Sequence, residues 1–457
     1  MNCFKRLYST KRSLLPNPTI KSLLAAKSTE PITVHGWVRS VRKQKQIAFA
    51  DINDGTTFKG LQATLDPTLA ERLTTGACVE LQGQLISSPG KEQTQELQVS
   101  SVRVLGESDE SYPLQKKRHT LEFLRTINHL RPRGNTGASV LRIRSAAAEG
   151  FRHFFASHEF TQVDTPILTS SDCEGAGEVF QIAGGKEQAA FFGKPAYLTV
   201  SGQLHAEMMA TALSRVYTFG PVFRAEASLT SRHLAEFWML EAELAFIDKL
   251  APLLDVTEAS IQETTRHVMQ KCADELQFFN RFVDKSLLER LERSIEKPFV
   301  RMTYTEAIDI LQRAKTRFEF PTTWGSSLQS EHERYLASDY CGRPVFVTDY
   351  PIEHKPFYMR ANEDGKTVAC FDLLLPKIGE LVGGSMREER YAPLEAKIRA
   401  AGMNMEDYQW YLDLRKYGTA PHGGYGIGFE RFLLWLTGLE NVREVVPVPR
   451  WVNHCKY

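Results

Sequence analysis

The stretch Val216-Tyr-Thr-Phe-Gly-Pro-Val-Phe-Arg-Ala-Glu-Ala-Ser-Leu-Thr-Ser-Arg-His-Leu-Ala-Glu-Phe-Trp-Met-Leu-Glu-Ala-Glu243 decides how this chain is read. Its first part alternates as a strand does: Tyr217, Phe219 and Phe223 share one parity, and Arg224 and Glu226 follow at the end. A polar loop, Ser228 to His233, comes next. The return run sets Phe237, Met239 and Glu241 on one face and Trp238 and Leu240 on the other. The pattern predicts a long-looped antiparallel hairpin with Arg224, Glu226, Arg232, His233 and Phe237 around its mouth. Guanidinium groups fork onto phosphate and an aromatic ring stacks a base, so this set suits a purine triphosphate. It suits a solvated hairpin with surface charges equally well.

Working outward from the hairpin, two further stretches stand out. Before it, Leu198-Thr-Val-Ser-Gly-Gln-Leu-His-Ala-Glu207 runs from a strand into a helix, and Ser170-Ser-Asp-Cys-Glu-Gly-Ala-Gly-Glu178 is a Gly-rich acidic loop. After it, Pro421-His-Gly-Gly-Tyr-Gly-Ile-Gly-Phe-Glu-Arg431 opens an apolar helix, where glycines allow close approach of a backbone to a ligand and Arg431 faces phosphate. Asp372 and Glu380 flank a hairpin-like segment; as hard oxygen donors they suit Mg²⁺ completed by substrate phosphates, or they are two solvated acids at strand ends.

Phe223-Arg-Ala-Glu226 with Arg232-His233-Leu-Ala-Glu-Phe237 resembles the second signature of the class II aminoacyl-tRNA synthetases, nearest the aspartate/asparagine/lysine subgroup. Gly426-Ile-Gly-Phe-Glu-Arg431 resembles the third signature. The helix from Ala138 to His158 and the Pro166-broken strand Phe160–Leu168 resemble the first, which in the family forms a dimer interface. The likeness runs from about residue 31 to the C-terminus. It implies an α+β chain: an OB-type β-barrel followed by a class II antiparallel sheet flanked by helices.

The resemblance also implies roles. Arg224 would hold the α-phosphate and the amino-acid carboxylate, Glu226 the adenine edge, and Phe237 the adenine face. Arg232, His233, Gly428 and Arg431 would meet the rest of ATP. Glu380 would hold Mg²⁺ with Asp372 or Glu241 nearby. Glu174 would take the α-ammonium, Ser201 and Gln203 the amino-acid backbone, and Arg387 and His422 the remainder. Glu207 carries the substrate expectation. A glutamate suits the NH₂ of a carboxamide and repels a carboxylate, by about 4 kcal/mol for like charges ~4 Å apart at an effective dielectric near 20. Ser-Gly-Gln-Leu-x-x-Glu is the asparaginyl version of the subgroup pattern. The expected reaction joins asparagine to tRNA(Asn) with ATP. Alternatives are an aspartyl enzyme of relaxed specificity, a non-catalytic tRNA-binding paralogue, and an amidating asparagine synthetase on the same scaffold.

The barrel reading rests on five strand candidates between residues 31 and 106, with a helical piece from Pro67 to Leu73 between the third and fourth. Arg39, Arg42, Lys43 and Lys45 form a basic cluster. Phe49 could stack a base or fill the core, and by resemblance Phe49, Gln62 and Arg39 are tRNA contacts. Residues 107–137 read as a polar linker, and 138–457 as the catalytic domain. Strands are expected over Val345–Tyr350 and Phe357–Arg360, and helices over Thr257–Leu276 and Leu287–Ile295.

Composition bounds the rest. The chain has 457 residues, 42% hydrophobic and 24% charged, with a net charge of +1, as in an ordinary globular protein. No apolar run approaches the ~18 residues of a membrane span. Its seven cysteines are scattered, with no Cys-x-x-Cys, which argues for a reducing compartment and against a disulfide framework or zinc site. The first 30 residues carry Lys5, Arg6, Lys11, Arg12, Lys21 and Lys27 and no acid before Glu30. That pattern predicts a mitochondrial transit peptide over 1–30 and a place in the matrix; a basic tail touching tRNA is the other reading.

Overall fold

The computed structural model describes residues 17–26, 30–90, 93–170, 178–183 and 191–457. The chain divides into two compact units, one ending at Ser139 and the other running from Val140 to Tyr457. Glu174 lies outside the described residues, as do positions 1–16.

The first unit opens with helix α1 (Ile20–Ala26) and strands β1 (Ile32–Lys43), β2 (Ala48–Asn53), β3 (Leu61–Leu65), β4 (Cys78–Ser87) and β5 (Gln95–Gly106), and ends with α2 (Leu121–Thr126). The strands close into a barrel in the order β1-β2-β3-β5-β4. Closure leaves no free sheet edge. Alternate residues (Val34, Val38, Ala50, Ile52, Leu81, Leu97) fill the interior. The stretch Pro67–Leu73 is a run of turns, not a helix. And α1 belongs to the barrel unit: Ile20 and Leu23 are buried in the barrel core, and Asp54 accepts a hydrogen bond from the Ile20 N–H at 2.8 Å. The transit peptide expected over 1–30 thus overlaps a helix that packs into the barrel.

Strand parity also answers the question over Phe49. Its neighbours Ala48 and Ala50 point inward, and Phe49 lies half-buried on the outer face, opposite Thr64 and Arg42. The Arg42 guanidinium sits 5.7 Å from its ring centre. Gln62 is paired across to Asp51 on the same face and donates to Glu96 at 3.1 Å, and Arg39 lies near enough to Asp51 to favour its ionised form.

The second unit is built on an eight-stranded sheet. Helix α3 (Asn135–Ser157) leads into the short strands β6 (Thr161–Gln162), β7 (Leu168–Thr169) and β8 (Tyr197–Leu198). The Pro166-broken strand expected over Phe160–Leu168 is two short pieces, β6 and β7, on either side of the proline. Then come α4 (Gln203–Leu213), β9 (Arg215–Phe223), β10 (Glu236–Ala245), α5 (Leu250–Lys271), α6 (Ala273–Phe282), α7 (Leu287–Glu296), β11 (Val300–Thr303), α8 (Tyr304–Arg313) and α9 (Ser330–Arg334). The chain finishes with β12 (Val345–Thr348), β13 (Cys370–Leu375), β14 (Gly379–Met386), α10 (Tyr391–Ala400), α11 (Met405–Lys416), β15 (His422–Gly428) and α12 (Phe429–Thr437). Sheet order is β11-β12-β13-β14-β15-β10-β9-β6. All neighbours run antiparallel except the two edge pairs, β11–β12 and β6–β9.

Several boundaries move. β12 stops at Thr348 because Asp349 turns to a φ of 59°, outside the strand region. Phe357–Arg360 is not a strand: Met359 forms only an isolated bridge with Arg387. The helix expected over Thr257–Leu276 breaks at Cys272, whose N–H closes α5 on the Val268 carbonyl. Arg144 interrupts the apolar stripe of α3 for a reason. It turns inward to Glu430 at 2.8 Å, with Phe429 under its guanidinium at 4.8 Å. The second Glu430 oxygen accepts the Trp238 N–H at 3.0 Å, tying α3 and α12 to β10.

Candidate active site

The predicted hairpin forms as β9 and β10, registered from Glu236 opposite Phe223 to Leu244 opposite Arg215. β10 also pairs with β15, and β15 with β14. These central strands floor a cavity of about 430 Å³. Of the expected residues it gathers Ser201, Gln203, Arg224, Glu226, Arg232, His233, Phe237, Glu241, Asp372, Glu380, Arg387, Gly428 and Arg431.

One end is cationic. The Arg224 guanidinium lies 5.4 Å from the centre of the Phe237 ring. His233 meets Glu226 at 2.9 Å while its other ring nitrogen faces Ser228 and Thr230. Arg431, on the first turn of α12, donates to the Glu380 carbonyl at 2.9 Å. Arg232 donates to Ser330 at 2.6 Å. Burial and the nearby Arg431 lower the Arg232 pKa, and Glu333 works the other way. Four arginine and histidine side chains beside an aromatic ring suit a planar base followed by phosphates.

Asp372 and Glu380 fit a divalent cation. Gly383 has no side chain, and a Cβ there would lie 3.6 Å from Glu380 Oε1 and 3.7 Å from Asp372 Oδ1. Two carboxylate oxygens therefore converge on space that glycine leaves open. Asp372 is paired with Lys355 at 3.0 Å. Burial raises the Asp372 pKa, Lys355 opposes this, and Glu380 adds to it. No group of three metal-binding side chains forms among the described residues. Two carboxylates with substrate phosphates is the arrangement Mg²⁺ uses. Glu241 is not part of this pair. Its oxygens are taken by the Ser201 hydroxyl and, at 2.8 Å, by the Gly202 N–H, so it holds the entry to α4.

At the other end of the cavity Glu207 does not take the place expected for it. Glu207 does line one face of α4, but it lies behind the cavity wall rather than in it. It accepts from Gln203 at 3.0 Å, from Tyr411 at 2.9 and 2.7 Å and from Arg415 at 2.7 Å, and it faces His422 at 3.2 Å. A carboxylate offers about four acceptor positions, so these are filled. Burial opposes its ionisation, but Arg415, His422 and Arg387 outweigh it and hold Glu207 well below the usual carboxylate range. His422 is likewise behind the wall, between Glu207 and the Ala420 carbonyl. The acid that faces the cavity beside Arg387 is Glu243. It is fully buried and binds the guanidinium at two points. Burial raises its pKa, with Arg387 opposing and Glu207 adding. Gly424 makes room: a Cβ there would come within 2.1 Å of Glu243 Oε1. Glu243, Lys355, Tyr411 and Arg415 were not singled out in the sequence. Only Glu243 left a local signal there, two residues beyond Glu241 on the same strand face.

A family model described as tRNA synthetases class II (D, K and N) matches residues 120–452, and one described as an OB-fold nucleic acid binding domain matches residues 32–105. The chain belongs to the class II tRNA synthetases of the D, K and N group. It is 52% identical over 439 residues to the asparagine–tRNA ligase of Desulfotalea psychrophila, covering 94% of this chain and 98% of that one. Identity to the asparagine–tRNA ligase of Thermosynechococcus vestitus is 50% over 446 residues, 93% of this chain and 96% of the relative. Among solved structures, asparaginyl-tRNA synthetase from Pyrococcus horikoshii complexed with asparaginyl-adenylate superposes with a TM-score of 0.86 at 30% identity, covering 97% of this chain and all of that one. In this class II synthetase β10 and β15 thus lie side by side on the floor of the cavity, and Arg431 of α12 lines it as well.

Proposed function

We propose that the protein is an asparagine–tRNA ligase: it activates asparagine with ATP and transfers it to tRNA(Asn). One observation carries the substrate choice beyond the likeness to its relatives. The inner end of the cavity balances Arg387 and Arg415 against Glu207 and Glu243. A neutral carboxamide leaves that balance intact, and an aspartate carboxylate adds an uncompensated buried charge.

In this reading the asparagine carboxylate oxygen attacks the α-phosphorus, the α–β P–O bond breaks and pyrophosphate leaves. A ribose hydroxyl at the tRNA end then attacks the activated carbonyl and AMP leaves. No side chain becomes covalently attached. Catalysis is positioning and charge stabilisation. Arg224 holds the α-phosphate and carboxylate, Phe237 the adenine face, and Glu226 the adenine edge. His233, Arg232 and Arg431 receive the outer phosphates. Ser201 and Gln203 position the amino acid. Asp372 and Glu380 would hold Mg²⁺, which when bound neutralises polyphosphate charge.

The outer barrel face with Phe49, Arg42, Arg39 and Gln62 is assigned to the tRNA anticodon: the ring offers a stacking plate and the arginines meet backbone phosphate. A homodimer is assigned through the region after Pro166, where Ile167 and Leu168 are 41% and 49% exposed. The basic, acid-free start supports a matrix enzyme with a leader that ends before α1. The test is ATP–pyrophosphate exchange by the purified protein with asparagine and aspartate side by side. Exchange with asparagine alone is expected; exchange with aspartate at equal efficiency would overturn the carboxamide reading.

A further inference from the structure

We infer that Ser330 and Glu333, on the five-residue helix α9, are positioning residues for the triphosphate end of the site. The inference rests on the ATP reading above and gives a task to a region whose sequence carries no recognised signature.

Arg232 lies at the end of the polar loop between β9 and β10, on no regular element of its own. A long guanidinium there is free to sample many rotamers, and Arg431 faces the same cavity with like charge. Two contacts from α9 hold it. Ser330 Oγ accepts from Arg232 Nη1 at 2.6 Å, and Glu333 Oε2 stands 3.9 Å from the same nitrogen. Of the five N–H donors of an arginine, these contacts engage one edge and leave the remainder to face phosphate. The same Glu333 oxygen accepts the Glu380 backbone N–H at 3.1 Å. One side chain therefore sets both the cation that would meet the outer phosphates and the strand start carrying a carboxylate assigned to Mg²⁺.

The approach is tight. Gly379 has a φ of +80°, and a Cβ on it would lie 2.5 Å from Glu333 Oε2 and 3.0 Å from Arg232 Nη2. α9 is itself fixed. The His332 ring between the two residues is buried, accepts from the Gln329 N–H at 3.1 Å, and meets Phe318 edge-on at 5.1 Å. Leu336, on the π-helical turn that follows, is fully buried. Ser330 and Glu333 thus stand on an anchored element, and Arg232 borrows its rigidity.

The test uses the full chain with Ser330→Ala, Glu333→Gln and Arg232→Ala, alone and combined. KM for ATP and KM for asparagine are measured separately by pyrophosphate exchange. Ser330→Ala removes one acceptor from a charged donor and is expected to raise KM for ATP by about tenfold, with KM for asparagine within about twofold. In the Arg232→Ala background, Ser330→Ala is expected to add less than about twofold. Full additivity in that background, an equal rise in both KM values, or no change in either overturns the inference. Calorimetric binding of MgATP without amino acid gives the same comparison independently of exchange. A wild-type chain that binds MgATP but does not exchange would count against the proposed function, while leaving the Ser330–Arg232 coupling to be measured.

Discussion

Glu243 holds Arg387 through two hydrogen bonds, Oε1 to Nη2 at 2.5 Å and Oε2 to Nε at 3.2 Å, on a buried wall of the cavity. A third contact, Nη1 to Ser385 Oγ at 2.8 Å, fixes the plane of the guanidinium. One hydrogen on each terminal nitrogen remains for a ligand. The arginine presents donors to a substrate oxygen with its charge already balanced.

Glu243→Gln removes that balance with almost no change in volume. The inner end of the cavity becomes more positive, which favours a carboxylate ligand over a carboxamide. A unit charge ~4 Å away at an effective dielectric near 20 is worth about 4 kcal/mol at most. We expect the ratio of kcat/KM for asparagine over aspartate to fall by at least about tenfold, with KM for ATP unchanged. An unaltered ratio in a folded variant would remove Glu243 from the specificity argument.

The hairpin was legible because Tyr217–Phe223 and Phe237–Glu241 keep a strict period of two around a polar loop, and such a pattern has few other solutions. The cationic end followed, since its residues lie on or beside that hairpin and on the turn into α12. The sequence pattern points to Glu207 as the residue touching substrate because nothing local reveals what lies across from it. Its partners Tyr411 and Arg415 come from α11, more than 200 residues away in sequence. α1 was hidden differently. Its lysine sits in a basic segment whose composition resembles a leader, and only the i, i+3 pair Ile20 and Leu23 marks it as packed.

That buried network gives a stability prediction. Arg415 is 5% exposed and its charge is met by Glu207. Glu207→Ala leaves Arg415 and Tyr411 facing an empty site. Breaking such a pair by removing one partner costs about 3–5 kcal/mol. Thermal or urea unfolding should show a loss of that size, against less than ~1 kcal/mol for the exposed pair Arg72–Glu107 when Glu107→Ala is made. A Glu207→Ala protein as stable as the parent would mean that the network does not hold the fold.

Glu207 also has a pH signature. Its folded pKa is depressed, so its stabilisation is present above the unfolded value near 4.5 and is lost as pH falls below it. The parent should therefore lose stability in acid more steeply than Glu207→Gln does. Parallel acid-unfolding curves for the two would argue against the ion pair with Arg415 as the cause.

Asp372 and Glu380 should differ in their effect on magnesium dependence. Asp372 already has Lys355 at 3.0 Å, so Asp372→Asn also leaves a buried ammonium without its partner. Glu380 is the more exposed of the two, its side chain 41% accessible. Glu380→Gln is expected to raise the Mg²⁺ concentration for half-maximal exchange by about tenfold without lowering the melting temperature. Asp372→Asn should raise it and destabilise the protein as well. Identical Mg²⁺ titrations for Glu380→Gln and the parent would exclude Glu380 as a ligand.

A second cavity, about 720 Å³, shares Arg224 and Glu226 with the first and is walled by Phe180, Phe223, Trp451 and His454. The Trp451 and His454 rings stack at 3.5 Å with planes 6° apart, and Arg443 lies over the indole at 4.8 Å. Burial lowers the His454 pKa. An open, aromatic-walled space that shares lining residues with the first cavity suits the single-stranded end of a nucleic acid. Stacking of one base on an aromatic ring is worth about 1–3 kcal/mol. His454 and Arg443 already cover the Trp451 ring, whereas Phe180 on the same wall is 38% exposed. Phe180→Ala is therefore expected to leave pyrophosphate exchange within about twofold while lowering kcat/KM for tRNA in aminoacylation by about tenfold. Equal losses in both assays would point to a collapsed active site, and no loss in either would show that the acceptor end takes another path.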